Sequence, residues 1–189
     1  MKKIIKFIQN PYIVFIFLNR YGLLKFLSDE LFLKVMYKAR FGKNLNLKVP
    51  QTFNEKLQWL KLNDRKDIYT KMVDKYDVKK IVADNIGEDY IIPTLGIYDK
   101  WEDIDFDKLP DQFVIKCTHD SGGLVICKDK STFDFKYAQY KINKSLKTNY
   151  YLVGREWPYK NVKPRIVIEK FMSNKDGSDL QDYKIHCFN

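Results

Sequence analysis

The sequence predicts an α+β fold in which N-terminal helices precede an antiparallel sheet, and three stretches predict it. Residues 113–128, FVIKCTHDSGGLVICK, are two apolar β-branched runs joined by a polar loop that ends in two glycines, the pattern of a β-hairpin. Residues 52–62 open with Thr52 and Glu55 in capping-box spacing, after which Phe53, Leu57 and Leu60 recur on one helical face. Residues 165–171, RIVIEKF, form a further β-branched run in which Glu169 interrupts an otherwise apolar strand.

The hairpin loop is longer than turning requires. A hairpin turn needs about two to five residues, and THDSGG spans residues 118–123. Gly122 and Gly123 let the backbone approach an anion, successive N–H groups can donate to phosphate oxygens, and Lys116 and Lys128 flank the loop with compact positive charge. A lysine inside an apolar strand also needs water or an anion near its ammonium. Lys116 and the loop at residues 121–123 are therefore expected at the mouth of one cleft, with Glu169 on an adjacent strand lining it. A surface hairpin with two exposed lysines is the alternative reading of the same residues.

Composition bounds the rest. A chain of 189 residues with 45% hydrophobic content suggests one domain, or one domain plus a helical arm, with enough apolar material for a core. The aromatic residues are spread along the chain, which suits packing better than a stacking platform, so no nucleic-acid partner is expected. The formal charge of +10 is uneven, since residues 1–80 hold 18 Lys and Arg against 7 Asp and Glu, while residues 81–189 hold 16 against 17. Such an excess points to an anionic partner for the first part, or to a solvated basic face. Cys117, Cys127 and Cys187 lie in apolar runs without CxxC spacing and read as small core residues of a reducing compartment. With His119 and His186 the only histidines, a histidine-rich metal site is excluded.

Along the chain, residues 1–27 carry five basic side chains and no acidic one, interleaved with Phe7, Phe15, Phe17 and Phe26. Pro11, the short apolar run at residues 12–18 and the absence of a small-residue cleavage pattern argue against a signal peptide, so a cytoplasmic location is expected. The arm suits peripheral contact with an anionic membrane face, or packing on the rest of the chain. Leu31, Val35, Met36 and Ala39 mark a helix that Gly42 closes, residues 69–73 continue helically, and Val78, Ile81 and Val82 mark a helix that Gly87 ends. Residues 90–98 read as an edge strand or extended connection, residues 133–146 as an amphipathic helix, residues 149–158 as an aromatic loop and residues 183–188 as the start of a further strand. Asp103, Asp105 and Asp107 make two D-x-D pairs, a spacing that can hold a divalent cation before a nucleotide diphosphate. Asp is also a common turn former, and the expectation is a metal-free surface connection.

The pieces TFNEKLQWLK, Asp74-Lys75, IPTLGIYD, FVIKCTHDSGG, REWPYKNVKPRIVIEKF and DYKIHCFN together resemble the TupA-like family of the ATP-grasp superfamily, from about Ser28 onward. The resemblance implies residues 1–66 as an N-terminal helical region and residues 67–189 as an incomplete ATP-grasp-like lobe. It implies Lys116 as the phosphate-contacting and catalytic lysine, with Lys75 and Lys128 as further cations. Ser121, Gly122 and Gly123 become the closing loop, and Glu169, Lys170 and Phe171 the hinge that presents its backbone to adenine. The implied cofactors are ATP and magnesium, with no metal ligand among these residues because the family's carboxylates are expected beyond Asn189. The implied chemistry is attack of a carboxylate on the γ-phosphate and displacement by an amine, on a uronic-acid-containing polysaccharide precursor of the capsule or teichuronopeptide kind. A glycosyltransferase of the same kind of pathway, using the D-x-D aspartates, and a non-catalytic membrane-associated scaffold are the competing readings.

Overall fold

The computed structural model describes residues 11–174, 176, 180–181 and 183–186. The chain divides into two compact units, Met1–Ile81 with Lys147–Lys163 and Val82–Leu146 with Pro164–Asn189. In chain order the elements are α1 (Ile13–Arg20), α2 (Asp29–Phe41), α3 (Phe53–Asn63), α4 (Asp67–Val73), α5 (Asp77–Ile86), β1 (Thr94–Tyr98), β2 (Phe113–Cys117), β3 (Leu124–Cys127), α6 (Phe135–Leu146), α7 (Tyr151–Gly154) and β4 (Ile166–Lys170).

The first unit is built on α2. Ser28 caps its start by accepting from the Leu31 amide, Asp29 and Glu30 sit in the first turn, and Lys38 and Arg40 sit in the last, each favourable to the helix dipole. Gly42 ends the helix in the left-handed region at φ 69°. Phe32, Leu33, Met36 and Tyr37 are buried together with Leu24 and Leu45. The buried face is thus rotated from the one the Leu31 and Val35 spacing suggests, and Leu31 is exposed. The two aromatic rings carry more apolar area than Leu31 and Val35, and their burial sets the helix phase.

α3 begins with the capping box in full: Thr52 accepts from the Glu55 amide, and Glu55 Oε2 accepts from the Thr52 amide at 2.9 Å. That backbone bond holds the Glu55 carboxyl below its usual range. Replacing Thr52 with Ala should lower stability by about 1 kcal/mol, read as a lower urea midpoint with an unchanged slope. Leu57 and Leu60 are not packed into the core but line a cavity of about 460 Å³ with Tyr69, Val73, Pro158 and Tyr159.

Residues 149–158 are more ordered than a loop, because α7 forms there and Arg155 ends it in the left-handed region at φ 53°. The buried Arg155 donates from Nη2 to the carbonyls of Leu24, Lys25 and Leu27 at 3.1 to 3.2 Å, and its guanidinium lies 4.8 Å from the Phe32 ring centre. Three backbone acceptors in one turn are satisfied by one side chain.

The second unit is a four-stranded sheet in the order β1-β4-β2-β3, antiparallel throughout. β1 is an edge strand, with a register irregularity between Thr94 and Gly96 just after Pro93. Phe113, Ile115 and Cys117 of β2 and Ile166 and Ile168 of β4 point into one core with Ala138 and Ile142 of α6. The alternation in the sequence fixes this face, since a one-residue slip would turn the whole set outward. Trp101, Ile104 and Leu109 anchor the acidic connection into the same core. Cys117 and Cys127 are fully buried, and burial pushes the Cys127 thiol up from its ordinary value. Residues 183–186 are not in a strand, and Tyr183 and Ile185 are exposed there. The remainder of that expected strand, with Cys187, lies outside the described residues.

Candidate functional site

The face of the sheet opposite α6 carries the charges. Val114 and Lys116 alternate with the core residues of β2, and the register sets Val114 against Glu169 and Lys116 against Val167. Lys116 and Glu169 are therefore diagonal neighbours on one face, and Lys116 Nζ donates to Glu169 Oε2 at 2.6 Å. The side chain of Glu169 is 5% exposed and that of Lys116 26%. A carboxylate this deep needs a partner, and a charge-assisted bond supplies it. The lysine side chain is itself only partly buried. Leu124 and Ile126 of β3, whose register sets them against Lys116 and Val114, are exposed on the same face.

The loop at residues 118–123 is held from beneath. Thr118, His119 and Asp120 are buried, whereas Ser121 and Gly122 form the exposed tip. Both Asp120 carboxylate oxygens accept from the Gly123 amide, at 3.1 and 3.0 Å, and Asp120 Oδ2 also accepts a short bond from Ser145 Oγ. His119 Nε2 lies 3.2 Å from the Ser145 carbonyl, so α6 fixes the loop through one residue. Gly123 is glycine for packing reasons, because a Cβ there would stand 2.7 Å from Cys117 Sγ and overlap Ser145 Oγ. Its amide is turned to Asp120 and not outward to an anion. Gly122 differs, as a Cβ there would come no closer than 3.9 Å to any neighbour. That nearest neighbour is Asp120 Oδ2, so the tip has room for a side chain but holds a carboxylate oxygen close by.

Lys128, Lys170 and Phe171 come together elsewhere, lining a cavity of about 790 Å³ with Leu95, Pro110, Asp111, Gln112 and Asp129. Antiparallel pairing puts this cavity near the Phe113 end of the hairpin, since Phe113 pairs with both Cys127 and Lys170. At about 3.4 Å per residue, the five steps along β3 from Gly123 to Lys128 separate that lysine from the glycine loop by roughly 17 Å. Lys128 does not flank the loop tip, as a flat reading of the hairpin suggests, but joins Lys170 and Phe171 at the far end. Lys75 belongs to the first unit, half-buried beside Asp74. There the buried Asp74 carboxylate accepts from the amides of Tyr76 and Asp77 at 2.8 and 3.1 Å and starts α5.

The D-x-D segment is a surface connection in which Asp105 pairs with Lys108 at 2.7 Å. The Lys108 hydrogen bond holds the Asp105 carboxyl below its usual value. Among the described residues no group of three His, Cys, Asp or Glu side chains is placed to hold a metal ion.

Residues 55–189 match the model of the family described as TupA-like ATPgrasp. The chain belongs to this family. The assignment carries an ATP-grasp nucleotide-binding role, and the helices followed by a small antiparallel sheet agree with part of such a lobe. No curated protein and no solved structure matches the chain.

The frame of the loop, Asp120 with Ser145 and His119, escapes a reading of glycines and lysines alone. The signal was present in D-S-G-G, because an Asp followed by a turn commonly accepts from a backbone amide a few residues on.

Proposed function

We propose that this chain is the nucleotide-binding portion of an ATP-dependent carboxylate-amine ligase acting on a uronic-acid-containing precursor of a cell-surface polysaccharide, of the capsule or teichuronopeptide kind. The observation that carries the reading is the 2.6 Å pair between Lys116 and Glu169 on the two central strands, within the residues that match the family. Lys116 exchanges part of its bond to Glu169 for a phosphate oxygen, and Glu169 keeps the ammonium aimed. The Ser121 and Gly122 tip closes over the phosphates, with Asp120 and Ser145 holding its base. The base of the nucleotide lies toward Lys170 and Phe171, at the end of the sheet away from the loop. The distance from the loop to the far end of the strands, roughly 17 Å, suits an extended nucleoside triphosphate.

The reaction would transfer the γ-phosphoryl group of ATP to a carboxylate oxygen of the uronic acid. An amine nitrogen then displaces the phosphate, giving the amide, ADP and phosphate. The protein's share is positioning and charge stabilisation on the phosphoryl oxygens. ATP is cytoplasmic, so the reaction is placed in the cytoplasm, at the inner face of the membrane where such precursors are assembled.

Titration calorimetry with ATP and with a uridine diphosphate sugar, followed by phosphate release in the presence of a uronic acid and an amino acid, tests the reading. ATP should bind in preference to the nucleotide sugar, and, in a protein that carries the metal-binding carboxylates, phosphate release should need both acceptor and amine. Tighter binding of the nucleotide sugar, lost on Asp105→Ala, would replace this reading with a glycosyltransferase.

A further inference from the structure

We infer that residues 16–26 form a docking face for an anionic phospholipid bilayer; this rests on the proposed function only for which leaflet it meets. The segment is fixed to the first unit by every few residues: Leu24 is buried, and Phe15, Leu18 and Leu27 pack on the core around Phe32 and Leu33. The positions between them are turned out. Ile16, Phe17, Tyr21, Leu23 and Phe26 are exposed, with Tyr21 at 75% and Phe26 at 79%. Solvent-facing aromatic and aliphatic side chains at this density need an apolar partner, and scattered single exposures elsewhere do not.

Charge decides which partner. Arg20 and Lys25 stand exposed within the same stretch, and residues 1–27 contain five basic side chains and no acidic one. Of these, Lys2, Lys3 and Lys6 lie outside the described residues. A self-complementary protein interface would set these cations against their own copies, whereas an anionic headgroup layer neutralises all of them at once. Aromatic rings between basic residues are also the composition that settles at the headgroup boundary, with the rings inserted and the cations among the phosphates. Among the described residues no helix is long and apolar enough to cross a membrane.

The test is co-sedimentation of the full chain with vesicles of phosphatidylcholine alone and with phosphatidylglycerol added at three parts in ten. Binding should need phosphatidylglycerol and should weaken as salt rises. The double substitution Phe17→Ser and Phe26→Ser should lower the partition coefficient by about tenfold or more, as should Arg20→Glu with Lys25→Glu. All four positions are solvent-exposed, so the thermal midpoint and ATP affinity should stay as in the parent chain. Equal binding to both vesicle types, or unchanged binding by both double variants, would overturn the inference. Sedimentation velocity is run alongside, and a dimer abolished by the phenylalanine substitutions without vesicle binding would assign the face to a second copy instead. A failure of vesicle binding with ATP affinity intact strikes this inference alone, whereas loss of ATP binding in the parent chain strikes the functional proposal.

Discussion

Gly123→Ala should destabilise the chain by about 3 kcal/mol, while Gly122→Ala one residue earlier should change stability by no more than about 0.5 kcal/mol. At Gly123 the added methyl meets Cys117 Sγ at 2.7 Å and Cys117 Cβ at 2.8 Å. These are side chains of a closed core that have nowhere to move. Relief would have to come from the loop backbone, which is tied on both sides. The Gly123 amide is bonded to Asp120, and its carbonyl accepts from the Cys117 amide at 2.7 Å. Shifting the backbone would cost those bonds and would leave the Asp120 carboxylate buried with fewer donors. At Gly122 none of this applies, since the methyl would have space, with Asp120 Oδ2 its nearest neighbour at an ordinary 3.9 Å. That space is where the proposal puts the nucleotide's phosphates. Gly122→Ala should therefore weaken ATP binding by roughly tenfold, or about 1.4 kcal/mol, in a chain that folds normally. Urea denaturation and ATP titration of the two variants separate the effects. Unchanged ATP affinity in Gly122→Ala would remove the loop tip from the site, and a stable Gly123→Ala would contradict the packing argument.

The contrast between the two glycines also shows what the sequence could and could not display. The strands were legible because alternation of apolar and polar residues is local: FVIKC and RIVIEK each fix their own faces once paired. Lys116 and Glu169 stood out for the same reason, each being a charge within an apolar run. Their diagonal contact followed only from the antiparallel register, which links residues 53 positions apart. The role of Gly123 depended on Ser145 and Cys117, neither of which is marked by its neighbours in sequence. Nearness in sequence is also a poor guide to the place of Lys128, since a residue five places from a loop glycine along an extended strand lies at the strand's other end. Arg155 had no local signal at all, because its partners are three carbonyls some 130 residues earlier. On α2, the choice between two overlapping apolar faces turned on ring size and not on periodicity.

The largest effect on nucleotide binding is expected at Lys116, and a cycle with Glu169 separates its two roles. Lys116→Met keeps the stem of the side chain and removes the ammonium, leaving the 5% exposed Glu169 side chain without its 2.6 Å bond. The loss should cost about 1 to 3 kcal/mol of stability, and Glu169→Gln in the same chain should recover part of it by removing the buried charge. Stability in this cycle is therefore not additive. ATP affinity should behave differently. Lys116→Met and the double variant should both bind ATP roughly a hundredfold more weakly, about 2.7 kcal/mol, because the cation proposed to meet the phosphates is gone in each. Glu169→Gln alone should bind ATP at least as tightly as the parent, since Lys116 no longer shares its ammonium with a full negative charge. Titration calorimetry on the four proteins, with folding checked by thermal melts, reads both cycles. If Glu169→Gln lost as much ATP affinity as Lys116→Met, the pair would be acting as one structural unit, and the lysine's direct contact with phosphate would have to be given up.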